Sequence, residues 1–472
     1  MSTMHDALVI GGGISGLAAA WHLQRRGLEV ALWESAPQAG GKIRSVRQQG
    51  WLTEAGATWL MDPVGDPTEI IESVGLGPLL LRKQPDAARY LLRDGVLQRV
   101  PASAAGVLHS GLFSIRGRLR LALEPLIPQR HRSGETVAEF VRRRLGPEVL
   151  RYGIEPYVAA SLGSDPERAE AYTTLPRLTA LESRYGSISA GVLCQRLARR
   201  GRSPVGPAVS FQGGMQTLVD SLAASVRPEY SRCAAVIRRN GAGWQVEAAD
   251  GAVLRARQLV LTTPAPAAAR LLQDPDPELA GLLAGIQYAP VMVVHLGFQR
   301  QHVEHLLDGT GFLVPGCERR RINGCLWPAS VLAGRAPSGH VLLSCYLGGA
   351  REPKALADKD SAVIDKVRHD LTSLLGLRAA PVMTRIDRHP QALPLYFGAY
   401  SQRLAAISRR LCAIPGVHLC GAYSGGVSVR DRLIQAAAVA ERVAAAERCF
   451  PSSYQRYRDA GAALRITPCT PG

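Results

Sequence analysis

Near its amino terminus the chain has two apolar segments separated by a glycine-rich turn and a stretch with helical spacing. Leu8–Ile10 is a short apolar run, typical of a buried parallel strand. A glycine-rich turn follows, and Leu17, Ala20 and Leu23 then recur at helical spacing. A second apolar run, Val30–Trp33, comes after the helix. The pattern predicts a strand, a tight turn, a helix and a second strand parallel to the first.

The turn carries the spacing GxGxxG at Gly11, Gly13 and Gly16. Gly11 allows the tight turn, Gly13 lets a pyrophosphate approach bare backbone, and Gly16 lets the helix lie close to the strand. Glu34 ends the second strand, where an acid accepts hydrogen bonds from an unphosphorylated ribose. A glycine-rich turn without a ligand is the alternative. Because strand, spacing and acid agree, we predict a dinucleotide site.

Length and composition describe a folded protein of two or three domains. The chain has 472 residues, of which 46% are hydrophobic and 20% charged, as in ordinary globular proteins. Its 56 basic and 39 acidic side chains give a net charge of +17. Nucleic acid, anionic lipid and an acidic small molecule are the candidate partners. We expect no nucleic acid, because no zinc module, RNA-binding aromatic signature or helix-turn-helix pattern accompanies the charge.

The cysteines and the apolar runs bear on localisation. Nine cysteines are scattered, without a CxxC pair or a zinc spacing, so we expect no metal. Their odd number and the lack of a signal peptide favour reduced thiols in the cytoplasm. No apolar run approaches the roughly 20 residues that cross a bilayer. Any membrane contact is therefore expected to be peripheral, on the cytoplasmic face.

Two further segments continue the nucleotide site and carry a family resemblance. Residues 35–45 read SAPQAGGKIRS, a second glycine pair followed by basic residues that can hold a second phosphate. Residues 50–60 read GWLTEAGATWL. These segments resemble the superfamily of amine oxidases, phytoene desaturases and protoporphyrinogen oxidases, in which FAD lies extended across them. Dehydrogenases that bind only NAD lack this continuation.

The resemblance extends to residues 211–222, 258–264 and 415–437. It implies that the strand ending at Gly421 leads into a helix whose first amides face the flavin pyrimidine. Ala234 is expected to contribute only its backbone. The full set of expected FAD contacts is Gly11, Gly13, Ile14, Ser15, Gly16, Glu34, Ser35, Gly41, Lys42, Arg44, Gly56, Ala57, Thr58, Trp59, Ala234, Thr263, Gly421, Val427, Ser428 and Val429.

A cation interrupts an apolar strand at Arg89, in a hairpin that turns at Asp94-Gly95. Taken alone, Arg89 could be an exposed strand cation. In protoporphyrinogen oxidases a similar strand carries an Arg-Tyr pair whose arginine binds a tetrapyrrole propionate, and a guanidinium suits a carboxylate. The resemblance therefore implies that Arg89 binds substrate. It also implies that Ala159 and Ala160 line the cavity above the flavin.

The expected fold is α/β, with a discontinuous Rossmann-like FAD-binding domain, a mixed-sheet substrate domain and a helical, membrane-facing subdomain. Within the helical part, residues 101–150 interleave apolar side chains with arginines, which suits an anionic membrane surface. An arginine-rich solvated helix is the alternative. The predicted boundaries are 1–85, 211–285 and 400–449 for the FAD-binding domain, 86–100 and 286–399 for the substrate domain, 101–210 for the helical domain and 450–472 for a loose tail. The apolar spacing over 66–81 predicts a single helix.

The resemblance implies an oxygen-dependent protoporphyrinogen oxidase of haem biosynthesis. Such an enzyme removes six electrons in three steps, with FAD as the reactive group and O2 reduced to H2O2. The implied partners are a tetrapyrrole carrying propionates and molecular oxygen, and a dimer is left open. The alternatives are a coproporphyrinogen III oxidase, or an amine oxidase or desaturase of the same superfamily. The chain departs from the family's usual residues at Gly56-Ala57-Thr58, Leu162-Gly163-Ser164-Asp165, Ala422 and Arg432.

Overall fold

The computed structural model describes residues 4–61, 65–84, 87–101, 106, 110–130, 132–198 and 208–449. The predicted tail lies outside these ranges. The strands are β1 Met4–Ile10, β2 Val30–Trp33, β3 Ser45–Gln48, β4 Trp51–Glu54, β5 Leu60–Met61, β6 Leu80–Arg82, β7 Ala88–Arg93, β8 Val96–Arg99, β9 Ala208–Phe211, β10 Ala234–Asn240, β11 Gly243–Ala248, β12 Val253–Leu261, β13 Tyr288–Gln299, β14 Gly309–Leu313, β15 Gly324–Leu326, β16 His340–Gly348, β17 Met383–Pro394 and β18 Val417–Leu419.

The α-helices follow the same order along the chain. They are α1 Ile14–Arg25, α2 Asp66–Ser73, α3 Ile115–Ala122, α4 Val137–Arg144, α5 Pro147–Val149, α6 Glu155–Leu162, α7 Ala171–Thr174, α8 Pro176–Tyr185, α9 Ile188–Ala198, α10 Gln216–Val226, α11 Ala265–Leu271, α12 Pro277–Ala284, α13 Pro328–Val331, α14 Asp360–Leu375, α15 Tyr400–Ala413 and α16 Val429–Cys449. A π-helical turn, Leu150–Ile154, joins α5 to α6. Across the described ranges, no helix combines the length and the apolar character that a bilayer crossing requires.

A six-stranded sheet organises the first layer of the fold. Strands β2, β1 and β12 are parallel, and β18 adds a fourth parallel strand beside the end of β12. Strands β11 and β10 continue from the start of β12 as an antiparallel arm. Ile10 lies level with both Trp33 and Leu261, and Leu261 with Leu419. The four parallel strands therefore end at one edge of the sheet, where ligands of open α/β sheets bind.

Helices cover both faces of this sheet. On one face α1, α10 and α16 pack together, and the middle of α1 is fully buried because Leu17, Ala18, Ala19 and Ala20 all face protein. On the other face α11, α12 and α15 bury apolar side chains such as Leu272. Burial on both faces explains why β1 and β12 are continuously apolar at their carboxyl ends. This is a doubly wound arrangement, with α1 next to the last helix, α16.

A seven-stranded mixed sheet forms the second layer, in the order β17-β13-β16-β15-β14-β7-β8. The pairing of β14 with β7 is parallel and the other pairings are antiparallel. Helix α14 packs on one face through Val363, Val367 and Leu371. From β17, His389 donates its Nε2–H to the carbonyl of Ala55 at 2.7 Å. This bond connects the sheet to the segment that follows β4.

The third part is helical and is held by buried polar contacts as well as by an apolar core. Thr136 begins α4 with a capping box: its hydroxyl accepts from the Glu139 amide at 3.2 Å, and the Glu139 carboxylate accepts from the Thr136 amide at 2.9 Å. Glu124 and Arg144 form an ion pair with both side chains fully buried. Glu124 also accepts from the amide of Ile188 at 3.0 Å. One carboxylate thus connects α4, α9 and the turn after α3.

Candidate active site

The glycine turn after β1 is closely packed at two positions and open at a third. Gly11 has φ +112°, and a Cβ there would lie 2.7 Å from Thr262 Oγ1. A Cβ at Gly16 would lie 1.9 Å from the Gly11 carbonyl oxygen, so only glycine fits. A Cβ at Gly13 would meet nothing within 4 Å. Helix α1 begins at Ile14 without a side-chain cap or an acidic residue in its first turn, which leaves its amides open to an anion.

Glu34 lies buried at the end of β2, against the glycine turn. Its Oε2 accepts from the Gly12 amide at 2.6 Å. Its Oε1 accepts from the Ala36 amide at 2.7 Å and from the Ser35 hydroxyl at 3.2 Å. A carboxylate offers about four lone-pair positions. Glu34 is therefore fixed in place by backbone donors and can still accept from a ribose hydroxyl.

The second glycine pair folds back onto the first turn. Gly40 donates its amide to the Gly12 carbonyl at 2.9 Å. A Cβ at Gly41, which has φ +58°, would lie 3.5 Å from the Gly13 Cα. Arg44 follows on the same segment and is exposed. The two glycine segments thus form one continuous backbone surface, as an extended dinucleotide requires.

Lys42 directs its ammonium group toward the second sheet. Its Nζ donates to the carbonyl of Ala392 and lies 5.4 Å from the centre of the Tyr288 ring. Burial lowers the pKa of Lys42 to about 8. A Cβ at Gly56 would lie 2.2 Å from the Lys42 carbonyl oxygen, so this glycine allows the two segments to touch. Lys42 therefore lies between the glycine surface and β17.

The segment after Gly56 meets the second sheet. Thr58 is buried, and its hydroxyl lies 3.4 Å from the Tyr346 hydroxyl on β16. Burial raises the pKa of Tyr346 to about 12. Ala57 and Trp59 are half-buried, and the Trp59 ring lies 5.9 Å from Lys83 Nζ. The segment between β4 and β5 thus contacts β16 of the second sheet and the residue that follows β6.

The carboxyl end of β18 completes the edge. Gly421 is buried directly after the strand, and Val427 is half-buried before α16. Ser428 caps α16, because its hydroxyl accepts from the Asp431 amide at 3.1 Å. The Ser428 amide donates to the Asp431 carboxylate at 3.3 Å, so this amide, one of those expected to face a flavin, already has an acceptor. Val429 is the first helical residue and is buried.

Two side chains at this edge have buried polar atoms without a partner in the described part of the chain. Arg432 is buried, and its Nη1 donates to Gln435, whereas its Nε and Nη2 have no acceptor. Burial lowers the Arg432 pKa. The Thr263 hydroxyl, beside the glycine turn, is also without a partner. Open backbone at Gly13 and the unpartnered Thr263 hydroxyl beside the glycine turn fit a bound dinucleotide.

Ala234 lies farther from the turn in sequence, at the start of β10. It pairs with Ala248 next to a bulge, and the strand is the last one on its side of the sheet. Ala234 is half-buried, so its backbone is partly accessible. For a metal ion, no cluster of three His, Cys, Asp or Glu side chains occurs among the residues that the structure describes.

The expected substrate residues lie on β7 and α6. Arg89 is exposed, and its carbonyl accepts from the Val100 amide at 2.7 Å. Ala159 is buried and Ala160 half-buried on α6. A Cβ at Gly324 would lie 3.6 Å from the Ala160 Cβ, so α6 packs against β15. Both elements therefore adjoin the second sheet rather than the glycine turn.

Sequence reasoning did not single out several residues at the site. Thr262 donates its hydroxyl to the carbonyls of Ile10, at 3.0 Å, and Gly11, at 2.8 Å, and so holds the turn. Tyr288 and Tyr346 reach from the second sheet to Lys42 and Thr58, on the segments that follow β2 and β4. Their only sequence signal is a tyrosine in an apolar strand, which is also common in a core.

A parallel sheet, a glycine turn that opens toward an anion site and a buried acid at the second strand define a dinucleotide-dependent oxidoreductase. Residues 14–444 match the family of flavin containing amine oxidoreductases, and the chain belongs to that family. Its cofactor is accordingly a flavin.

Individual relatives extend the comparison. The chain is 29% identical over 469 residues to the mitochondrial protoporphyrinogen oxidase of Nicotiana tabacum, covering 92% of this chain and 93% of that protein. It is 27% identical over 450 residues to the coproporphyrinogen III oxidase of Bacillus subtilis (strain 168), covering 91% and 95%. A crystal structure from Exiguobacterium sp. 255-15 shares the fold with a TM-score of 0.78 at 24% identity, covering 94% of this chain and 99% of that one.

Proposed function

We propose that the protein is an FAD-dependent oxidase that converts protoporphyrinogen IX to protoporphyrin IX in haem biosynthesis, with O2 as the electron acceptor. The observation that carries the substrate is Arg89. Within the described residues, no carboxylate pairs with its guanidinium, whereas Arg351 and Arg321 are paired with acids on the same layer. An exposed guanidinium without an acidic partner suits a substrate carboxylate. The similarity to the tobacco oxidase agrees with this assignment.

In this proposal the residues bind and orient rather than exchange protons. The glycine turn holds the pyrophosphate, Glu34 accepts from the ribose, and Arg89 fixes the macrocycle by one propionate. The bound flavin supplies the acceptor for each pair of electrons. His295 is not a candidate base, because it is buried in β13, where it shares a 2.9 Å hydrogen bond with Ser344. Ala159 and Ala160 present small apolar surfaces beside the second sheet.

Coproporphyrinogen III is the second candidate substrate. The similarity to the Bacillus subtilis enzyme is nearly as high as that to the tobacco oxidase. A tetracarboxylate also suits a chain with a net charge of +17. An amine substrate fits less well, because Arg89 would repel an ammonium group.

The experiment mixes the flavin-loaded protein with each porphyrinogen in the absence of oxygen. We expect protoporphyrinogen to bleach the visible flavin band fastest, and air to restore it with release of H2O2. An amine substrate and protoporphyrinogen dimethyl ester are the controls. Faster bleaching by coproporphyrinogen would transfer the assignment to the second candidate. No bleaching by either porphyrinogen would refute the proposed function.

The same proposal includes peripheral contact with an anionic membrane from the cytoplasm. Ile115, Leu119, Leu123 and Leu126 share one face of α3 and the turn after it, and they are between 53% and 78% exposed. Arg116 is also exposed on α3. Exposed leucines beside a cation suit the interface of an anionic bilayer. Residues 102–105 and 107–109 of the predicted membrane-facing part lie outside the described residues.

Vesicle sedimentation tests the membrane contact. We expect binding to anionic vesicles, weaker binding to zwitterionic ones, and loss of both in Leu119→Glu combined with Leu126→Glu. Leu306→Glu is the matched control, since Leu306 is 77% exposed in another part of the chain. Equal binding by the double variant and the control would refute the contact.

A further inference from the structure

Lys83 is a buried cation next to the candidate site. It follows β6, and its amide donates to the Ala208 carbonyl at 2.9 Å, which fixes the backbone beside β9. The residue is only 8% exposed. Its Nζ lies 5.9 Å from the centre of the Trp59 ring, within range of a cation–π contact. The side chain as a whole is thus mostly buried, with its ammonium group near the Trp59 ring.

The charge of Lys83 is not balanced by an anion. Among the described residues, no carboxylate forms an ion pair with its Nζ and no acceptor forms a hydrogen bond with it. Lysine is almost never fully buried unless it is paired. Buried Arg335, by contrast, pairs with Glu54 at 3.3 Å.

The charge that acts on Lys83 is that of another cation, Arg89. Burial lowers the pKa of Lys83, and the positive charge of Arg89 lowers it further. Arg89 is likewise without a carboxylate partner in the described ranges. An anion bound near both groups would relieve this repulsion.

The location connects this pair to the substrate side of the site. Trp59 directly follows Thr58, whose hydroxyl lies 3.4 Å from Tyr346 on the second sheet. Arg89 lies on β7, in the same second sheet. Lys83 directly follows β6 and Arg89 lies on β7, so the two cations are six residues apart in the chain.

We propose that Lys83 is a second carboxylate-binding residue, which acts with Arg89 on the acidic groups of the substrate. The inference rests on the proposed function for the identity of that substrate, a porphyrinogen carrying propionates. It adds a specificity determinant, since a macrocycle without free carboxylates would leave both cations unneutralised.

The test measures binding rather than turnover. Protoporphyrin IX and its dimethyl ester are titrated against the flavin-loaded protein, and porphyrin fluorescence reports the dissociation constant. We expect Lys83→Gln to weaken binding of the free acid about tenfold or more and to leave the ester unchanged, with partial rescue in Lys83→Arg. Lys354→Gln is the control, because Lys354 is an exposed lysine.

The outcomes separate the inference from the proposed function. Equal loss of acid and ester binding in Lys83→Gln, or no loss of either, would overturn the role of Lys83 while porphyrinogen oxidation could still stand. A second titration uses 2-naphthoate, a simple aromatic carboxylate, to test the carboxylate site without a porphyrin. If it binds in a Lys83-dependent way but no porphyrin binds, the carboxylate site stands and the proposed substrate fails.

Discussion

Adding a methyl group at Gly13 and at Gly16, both in the first glycine turn, should have different effects on the stability of the flavin-free protein. At Gly16 a Cβ would lie 1.9 Å from the Gly11 carbonyl oxygen, far inside any ordinary contact. At Gly13 the added carbon would meet nothing within 4 Å. Gly13→Ala should therefore leave the flavin-free fold intact, whereas Gly16→Ala should distort it. Comparing Gly13→Ala with Gly16→Ala tests whether the cofactor fills the open space at Gly13.

The magnitudes follow from the two environments. Overpacking at Gly16 should lower the free energy of unfolding by about 1–3 kcal/mol, offset by up to about 1 kcal/mol from the higher helix propensity of alanine. Gly13 is the N-cap residue with φ −71°, which alanine adopts without strain, so only a few tenths of a kcal/mol should change. A methyl group against the pyrophosphate should remove one or two charge-assisted hydrogen bonds, each about 1.5–3 kcal/mol. The flavin dissociation constant should then rise by at least about tenfold.

Urea unfolding of the flavin-free protein and fluorescence titration with FAD measure the two effects separately. The expected result is a stable Gly13→Ala variant that binds FAD weakly, and a Gly16→Ala variant that is destabilised before any cofactor is added. Wild-type affinity in Gly13→Ala would refute the reasoning, because the open space at that position would then not be where the pyrophosphate lies. Unchanged stability in Gly16→Ala would show that the turn can shift.

Three further predictions concern buried ionisable groups. Within the described chain, Glu124→Gln leaves Arg144 with only the carboxylate of Glu182, 3.5 Å from its Nε, and should cost about 3 kcal/mol, part of which Arg144→Met should restore in a double-mutant cycle of urea unfolding. Burial lowers the pKa of His295 from 6.5 to about 4, so the unfolded chain binds the proton more readily. The free energy of unfolding should therefore fall as the pH drops from 6.5 to 4. His295→Gln should remove about 3 kcal/mol of that fall. His369→Gln, at an exposed position, is the control and should leave the fall unchanged. Arg432→Met should stabilise the flavin-free protein by about 1–3 kcal/mol and weaken FAD binding; a lower melting temperature without flavin would contradict this.

Sequence reasoning was most informative where the contacts are local. Gly11, Gly16 and Glu34 lie within one strand-turn-helix-strand unit, so their spacing already encodes the geometry. The hairpin around Asp94-Gly95 was predicted for the same reason, and the structure confirms it with β7 and β8. The family assignment also follows from such local motifs, and the match over residues 14–444 confirms it.

The sequence was less informative where tertiary packing selects the partner. The single helix predicted over 66–81 was wrong: α2 ends at Ser73, and Leu80–Arg82 pairs with β9 as a strand. Pairing with a distant strand overrode the helical spacing there. His295 has no acid nearby in sequence, yet the β13–β17 pairing places Asp387 Oδ2 3.7 Å from its Nε2. The sequence did not indicate Lys83, because its charge is unusual only through burial, and sequence spacing does not show burial.

The order in which the ribosome makes the chain has a consequence for the cofactor. Gly13 and Glu34 emerge among the first residues, but β18 joins the parallel sheet, and α16 packs on α1, only after residues 417–449 have been made. Because translation proceeds from the amino terminus, an early nascent chain holds the dinucleotide turn without the strand and helix that complete its edge. A ribosome stalled before β18 would carry a chain with three of the four parallel strands of that edge and without α16.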